Sequence, residues 1–364
     1  MDALNALMSL AGVGGSGKTH PVTRPDFVLA YEQKDIAADV ANQLLSFDYT
    51  DYLDGQSDEL QVTFEDVDGR WLNAWYPAQG DRLSLSVGNQ FDGMIAWGNF
   101  EIAEIEHARR PDVVTVKALS TGITKANRTL QPKAYENTTL AQIVRIVAGR
   151  LKLSVTGIVR DIPIKRATQY QERDVEFLSR LAREYGHAFK IVDKTLVFTD
   201  RLAMAEQEPV AVVDWADIIS SRLRDLIKGV PDSAVVAGYD SKTKQAHVVK
   251  RKSKPKRAKA KRSATSDTLK ITANKGESQA QMEARADAAL EAADDQVGGT
   301  LTLVGSPKLV AGQVMRLTGY GQMSGNYLVK QSRHSYSRMT GYTTELEVKM
   351  LQYIADGEAG NADT

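Results

Sequence analysis

Gly98-Asn99-Phe100-Glu101-Ile102-Ala103-Glu104-Ile105-Glu106-His107 and Gly325-Asn326-Tyr327-Leu328-Val329-Lys330-Gln331-Ser332-Arg333-His334 are two strand-like segments of one design. Each opens with Gly-Asn and an aromatic residue and reaches a histidine nine positions after the glycine, so a single offset of 227 residues superimposes both features. Self-similarity at a fixed offset is the mark of a duplicated module. The flanks extend the match. Pro77-Ala78-Gln79-Gly80-Asp81-Arg82-Leu83 places Pro and Gly just ahead of a strand, as does the stretch from Pro307 to Gly312-Gln313-Val314. After a turn, Val113-Val114-Thr115-Val116-Lys117 follows the first copy and Glu345-Leu346-Glu347-Val348-Lys349 the second.

Outward from these segments the dominant signal is period-two alternation. Leu45, Phe47 and Tyr49 face one way and Ser46, Asp48 and Thr50 the other; Leu60, Val62 and Phe64, then Leu83, Leu85 and Val87, repeat the pattern. Short half-buried strands joined by turn residues predict an antiparallel sheet rolled into a barrel over residues 25–125. The period then changes. Leu140, Ile143, Val144 and Val147 recur at helical spacing behind Asn137-Thr138-Thr139, whose side chains can accept first-turn amides. A second helix carries the stripe Val175, Leu178, Ala182 and Tyr185, with Asp174 placed to cap it and Gly186 to end it. With a hairpin around Asp193-Lys194, residues 130–200 read as a small α/β domain. Strands return over 205–352, interrupted by a basic loop at 250–262 and an amphipathic helix at 278–294. The expected fold is α+β, mainly β: two tube-like antiparallel β-barrel domains with a small inserted α/β domain, between a flexible arm (1–24) and a flexible tail (353–364).

Composition narrows the function. The 364 residues contain no cysteine, which removes disulfides, thiolate nucleophiles and Cys-based zinc sites and fits an intracellular folding compartment. Lys plus Arg and Asp plus Glu are both 46, so the chain as a whole is no polyanion binder. No apolar run approaches the ~18 residues of a membrane span, and the N-terminus lacks the basic region of a signal peptide. Charge is nevertheless uneven: Lys250, Arg251, Lys252, Lys254, Lys256, Arg257, Lys259, Lys261 and Arg262 crowd into thirteen residues around Pro255. This run reads as an irregular, solvated loop with the capacity to touch phosphates or line a channel, though no aromatic residue interleaves it for base stacking.

Three motifs carry chemistry in principle. Gly12-Val13-Gly14-Gly15-Ser16-Gly17-Lys18-Thr19 fits P-loop spacing, with Gly12, Gly17, Lys18 and Thr19 at the defining positions. A phosphate-binding loop needs a buried strand before it and a helix after it, and His20-Pro21-Val22-Thr23-Arg24-Pro25 cannot run as a helix, so the match is judged false. Glu65-Asp66-Val67-Asp68-Gly69 resembles a calcium loop, but that frame puts Phe64 first and Trp75 last, where carboxylates are required; it reads as a hairpin turn. His107 and His334 lie beside arginines and read as sheet-surface residues rather than metal ligands. No Ser/His/Asp set or carboxylate pair stands out, so neither catalysis, a cofactor nor a metal is expected.

Gln169-Tyr170-Gln171-Glu172-Arg173-Asp174-Val175-Glu176-Phe177-Leu178-Ser179-Arg180-Leu181-Ala182-Arg183-Glu184-Tyr185-Gly186, with its hairpin to Phe198, resembles the late control protein D family, the baseplate hub of contractile-tailed phages. It is also similar to the hub half of type VI secretion spike proteins. Ser57-Asp58-Glu59-Leu60 through Pro77 and Gly80-Asp81 form a second matching piece, and the likeness covers about residues 25–352. The resemblance implies a non-enzymatic homotrimer in the virion tail baseplate, assembled in the host bacterial cytoplasm. Each chain would supply two tube-like barrels, joining a three-fold spike to the six-fold tail tube around a central channel. Implied partners are the spike protein, the first tail-tube ring and the tape-measure protein, with transient DNA in the channel and no membrane insertion. Two other classes stay open: a nucleic-acid-binding protein acting through 250–262, and a P-loop nucleotidase.

Overall fold

In β4 (Glu59–Glu65) the buried residues are Leu60, Val62 and Phe64, and in β7 (Val113–Leu119) they are Val114, Val116 and Ala118. Strict alternation leaves one face of these strands for a core and the other for solvent. The computed structural model describes residues 25–31, 34–35, 43–78, 80–89, 93–120, 130–226, 231–240, 244–253, 267–274, 276–294 and 297–357. Around β4 and β7 stand β1 (Asp26–Tyr31), β2 (Lys34–Asp35), β3 (Leu44–Tyr52), β5 (Arg82–Asn89) and β6 (Gly93–Ala108). They run in the order β3-β4-β7-β6-β5-β1, all antiparallel. The sheet curls until Phe27 of β1 meets Phe47 of β3 at 5.8 Å between ring centroids, closing a core with Trp71, Trp97 and Phe100.

A small lobe follows, made of β8 (Leu130–Thr139), α1 (Leu140–Leu151), β9 (Ser154–Thr156), β10 (Pro163–Arg173), α2 (Asp174–Tyr185), β11 (His187–Val192), β12 (Thr195–Asp200) and α3 (Arg201–Ala205). Thr139 caps α1 by accepting from the Gln142 amide at 3.3 Å, and Gly186 ends α2 at φ 70°. Asp174 does not cap α2. It is the first helical residue, and its Oδ1 accepts from Arg150 at 2.6 Å and Gln169 at 2.8 Å. The backbone amide of Arg173 instead donates to Glu176 across the first turn at 3.0 Å.

The chain then returns to the large sheet with β13 (Ala211–Asp214) and β14 (Ile218–Asp225). β15 (Ser233–Asp240), β16 (Gln245–Lys252) and β17 (Thr268–Thr272) do not extend that sheet. They form their own, ordered β16-β15-β17, under α4 (Gln279–Ala293). β18 (Val297–Val304), β19 (Val314–Thr318), β20 (Gly325–Ser337) and β21 (Gly341–Tyr353) complete the second half-barrel in the order β14-β18-β21-β20-β19-β13.

The two paths are the same path. β3, β4, β7, β6, β5 and β1 correspond in turn to β14, β18, β21, β20, β19 and β13. Register confirms it residue by residue. Phe100 opposes Leu83 and Tyr327 opposes Met315; the Ile102 amide donates to Asp81 O at 2.9 Å and the Val329 amide to Gln313 O at 3.0 Å. The bulge between Ile102 and Glu104 recurs between Val329 and Gln331. Gly80 and Gly312, each just before its strand, sit at φ +92° and +90°, where a side chain is strained. His107 opposes Val114 and His334 opposes Thr344, so the histidines occupy equivalent strands in equivalent register. Two differences mark the copies: β1 meets β5 antiparallel whereas β13 meets β19 parallel, and the short β3–β4 connection is replaced in the second copy by the β15–β17 and α4 lobe. The half-barrels join where β3 pairs with the second half of β20, Gln331 to Ser337, beyond the residues that pair with β19, making one curled sheet of 13 strands.

Candidate assembly site

Lys190 lies on β11 between Phe189 and Ile191, which point into the lobe's core, so alternation turns its ammonium the other way. There it meets two carboxylates of the first half-barrel. Nζ donates to Asp51 Oδ1 at 2.5 Å and to Asp58 at 3.2 and 3.3 Å. Asp51 Oδ2 also accepts from the Ala311 amide of the second half-barrel at 2.9 Å, and Asp58 Oδ1 from the Tyr52 amide at 3.2 Å. One cation thus ties both half-barrels to the inserted lobe. Burial, reinforced by the charge of Asp51, pushes the Asp58 carboxyl up to about 7 despite the pull of Lys190. Burial works to lower Lys190, but the two carboxylates outweigh it and raise the ammonium above its ordinary range.

A second network lies beside the first. Arg201 of α3 pairs with Asp54 in the β3–β4 connection and reaches Glu291 of α4 at 3.3 Å; Lys349 of β21 reaches the same Glu291 carboxylate at 2.7 Å. Burial alone would raise Glu291, but Lys349 and Arg201 hold it below the usual carboxylate range. Gln281 of α4 spans to the lobe by donating to Tyr185 Oη and accepting from the Lys165 amide, both at 3.0 Å. Buried charges matched this closely tie the lobes to one another, since separating them would leave a charge buried without its partner. The cleft they flank, between Asp54, His187, Phe189 and Arg201, encloses about 100 Å³, below the roughly 300 Å³ at which small-molecule sites begin. In it His187 is driven down to about 4 by burial and the nearby Arg160 charge, and so is neutral near pH 7.

What faces outward suits association. β14 ends the strand path with one side unpaired among the described residues, and an unpaired edge is a template for another chain. Beside it Val212, Trp215, Ile219 and Val304 are each about 60% exposed, at 65, 62, 59 and 62%.

Residues 80–340 match the phage tail baseplate hub (GPD) family, nearly three quarters of the chain. The chain belongs to this family. The probable baseplate hub protein of Escherichia phage P2 is 31% identical over 176 residues, which is 48% of this chain and 45% of that protein. The chain thus aligns with less than half the length of that curated relative. By fold it is similar to a tail protein of Neisseria meningitidis MC58, at TM-score 0.63 and 12% identity over 89% of this chain and 96% of that one. A PdpA-VgrG complex from Francisella matches at TM-score 0.54 and 9% identity, over 97% and 63%. The family read from the α2 segment and the acidic β3–β4 connection is therefore the family the chain belongs to.

Within this hub family member the residues singled out by sequence fall as follows. Gly12, Gly17, Lys18 and Thr19 lie outside the described residues, as do Lys254, Lys256, Arg257, Lys259, Lys261 and Arg262. Lys250, Arg251 and Lys252 are not irregular; they end strand β16, because β15 supplies a ladder partner for each. The Glu65–Gly69 stretch is not a hairpin turn. It begins a crossover, since β4 and β5 do not pair, and the crossover folds Trp71 onto Phe64 at 4.6 Å. His334 is not on the surface: it is fully buried against Trp97 at 4.7 Å, and burial drives it down to about 3. His107 keeps partial exposure. Among the described residues no group of three or more His, Asp or Glu could hold a metal ion. The Lys190 and Arg201 networks escape sequence reasoning. Directly bonded partners in them lie up to 260 residues apart, and the local signal is no more than an acidic cluster, Asp51, Asp54 and Asp58, at the end of β3 and in the connection after it.

Proposed function

We propose that the chain is the structural baseplate hub of a contractile phage-type tail, a homotrimer that joins a three-fold spike to the six-fold tail tube and lines the channel between them. The observation that carries this is the duplication: two half-barrels alike in strand order, bulge position and glycine turns, fused through β3 and β20. Three such chains offer six near-equivalent faces on a three-fold body, which is what a three-to-six adaptor needs. The salt-linked junction supports the reading, since an adaptor under axial load must not let its halves slide. Partners on this reading are the spike, the first tube ring and the tape-measure protein, with DNA passing transiently, and its place is the virion tail baseplate after assembly in the bacterial cytoplasm.

Native mass spectrometry and electron microscopy of the purified chain, with and without spike protein, test this. A trimer with a six-lobed ring is expected. A stable monomer at high concentration, even with spike present, would overturn it.

A further inference from the structure

The β16-β15-β17 sheet has one covered face and one open face. Ala234, Val236, Val249, Leu269, Ile271 and Ala273 pack under Met282, Ala286 and Leu290 of α4. Arg251 points the same way, held by Asp287 of α4 through two bonds of 2.8 Å. Alternation therefore turns Lys250 and Lys252 to the opposite face, and with them Lys270, which flanks Leu269 and Ile271. Register places Lys250 and Lys270 on either side of Val235, and Lys252 level with Ser233 and Thr268.

All three lysines are exposed, and none pairs with a carboxylate among the described residues. The same face carries Val248 and, opposite Ala246, Tyr239 with 66% of its surface open. Asp287 and Glu277, the acids that Arg251 and Arg285 engage in this lobe, are committed on the α4 side. The face is thus a cationic platform with an open aromatic ring, from which the chain runs directly into Lys254–Arg262.

We propose that this open face is a nucleic-acid surface, taking phosphates on Lys250, Lys252 and Lys270 and a base on Tyr239, without sequence preference. Strand spacing separates Lys250 from Lys252 by about 7 Å and from Lys270 by about 10 Å, so the three cations meet separate phosphates. The aromatic ring favours a single strand, whose unstacked bases are free to lie on it. Arg251, already neutralised by Asp287, takes no part. The assignment does not depend on the oligomeric state proposed above.

The test is fluorescence anisotropy of a labelled 20-nucleotide single strand titrated with the full chain across a salt series. Expected is binding whose log affinity falls linearly with log salt, with a slope shallower by about 2 in K250Q/K252Q/K270Q, since each single-strand phosphate left without its lysine takes about 0.7 from the slope. Tyr239→Ala is expected to weaken binding about ten-fold at constant slope. Circular dichroism melts that match the parent show the variants folded. The proposal is overturned by no binding, by a slope unchanged in the triple variant, or by loss only on deletion of 254–262. It is equally overturned, in favour of an acidic protein partner, if polyglutamate of equal charge competes as well as DNA and Tyr239→Ala has no effect.

Discussion

Replacing Lys190 by Met keeps an unbranched apolar stem and removes the cation that pairs with Asp51 and Asp58, whose side chains are 4% and 3% exposed. Breaking a buried pair by deleting one partner costs about 3–5 kcal/mol, because the other charge stays buried without compensation. Without Lys190 nothing holds Asp58 as low as about 7, so at pH 8 it takes up a proton and Asp51 is the stranded carboxylate; a cost within that range is expected there. The pH dependence has a definite sign. Asp58 has a folded value of about 7, above its ordinary 3.8, so its contribution to stability is complete below 3.8 and is lost as pH rises through 7. At pH 5 a proton already relieves the crowding, and Lys190→Met should cost less there, the gap growing by up to about 1.4 kcal/mol per pH unit for one proton. Urea unfolding of parent and variant at pH 5 and pH 8 gives the difference directly, and terms common to both cancel. Asp58→Asn, which leaves one carboxylate with one ammonium, should cost less than Lys190→Met and flatten the pH dependence between 4 and 7. A cost for Lys190→Met below about 1 kcal/mol at pH 8, or one equal at both pH values, would refute the reasoning.

Phe100 and Tyr327 occupy equivalent, fully buried positions, so Phe100→Ala and Tyr327→Ala should each cost about 3–5 kcal/mol in denaturant unfolding, and a clear inequality would argue against matched cores. At Gly299, φ is +153° and an added Cβ would lie 2.0 Å from Arg222 O; Gly299→Ala should prise β14 from β18, seen as faster amide exchange across Ser220–Asp225. His334 is held neutral well below the ordinary 6.5, so its contribution is complete above 6.5 and lost as pH falls toward 3; His334→Gln should flatten the acid limb of the stability curve in that window. Arg150→Met strands the buried Asp174 at the start of α2 and should destabilise the small lobe by about 3 kcal/mol, measured by hydrogen exchange in α2.

Much of this was legible in sequence because it is local. Period-two alternation names the strands, and helical spacing with Thr139 and Gly186 at the ends names α1 and α2. The 227-residue offset marks the duplication, because a repeated strand must repeat its glycine turn and its aromatic to fill an equivalent core. The same locality misled at Asp174, which has a capping side chain's chemistry but a stronger partner in Arg150, brought close only by folding. It misled at Lys250–Lys252 too, where like charges suggest a loop but β15 offers a ladder and Asp287 a counter-charge.

Sequence alone therefore determined the strand and helix pattern, the doubling of the module and the hub family, all of which rest on side-chain order within short stretches. Tertiary structure decided how the copies fuse, which acids Lys190 and Arg201 answer, that His334 is interior while His107 is not, and that Tyr239 shares a face with three exposed lysines. These depend on register between segments far apart in the chain, and a one-residue slip of a strand would send each of those side chains to the opposite face.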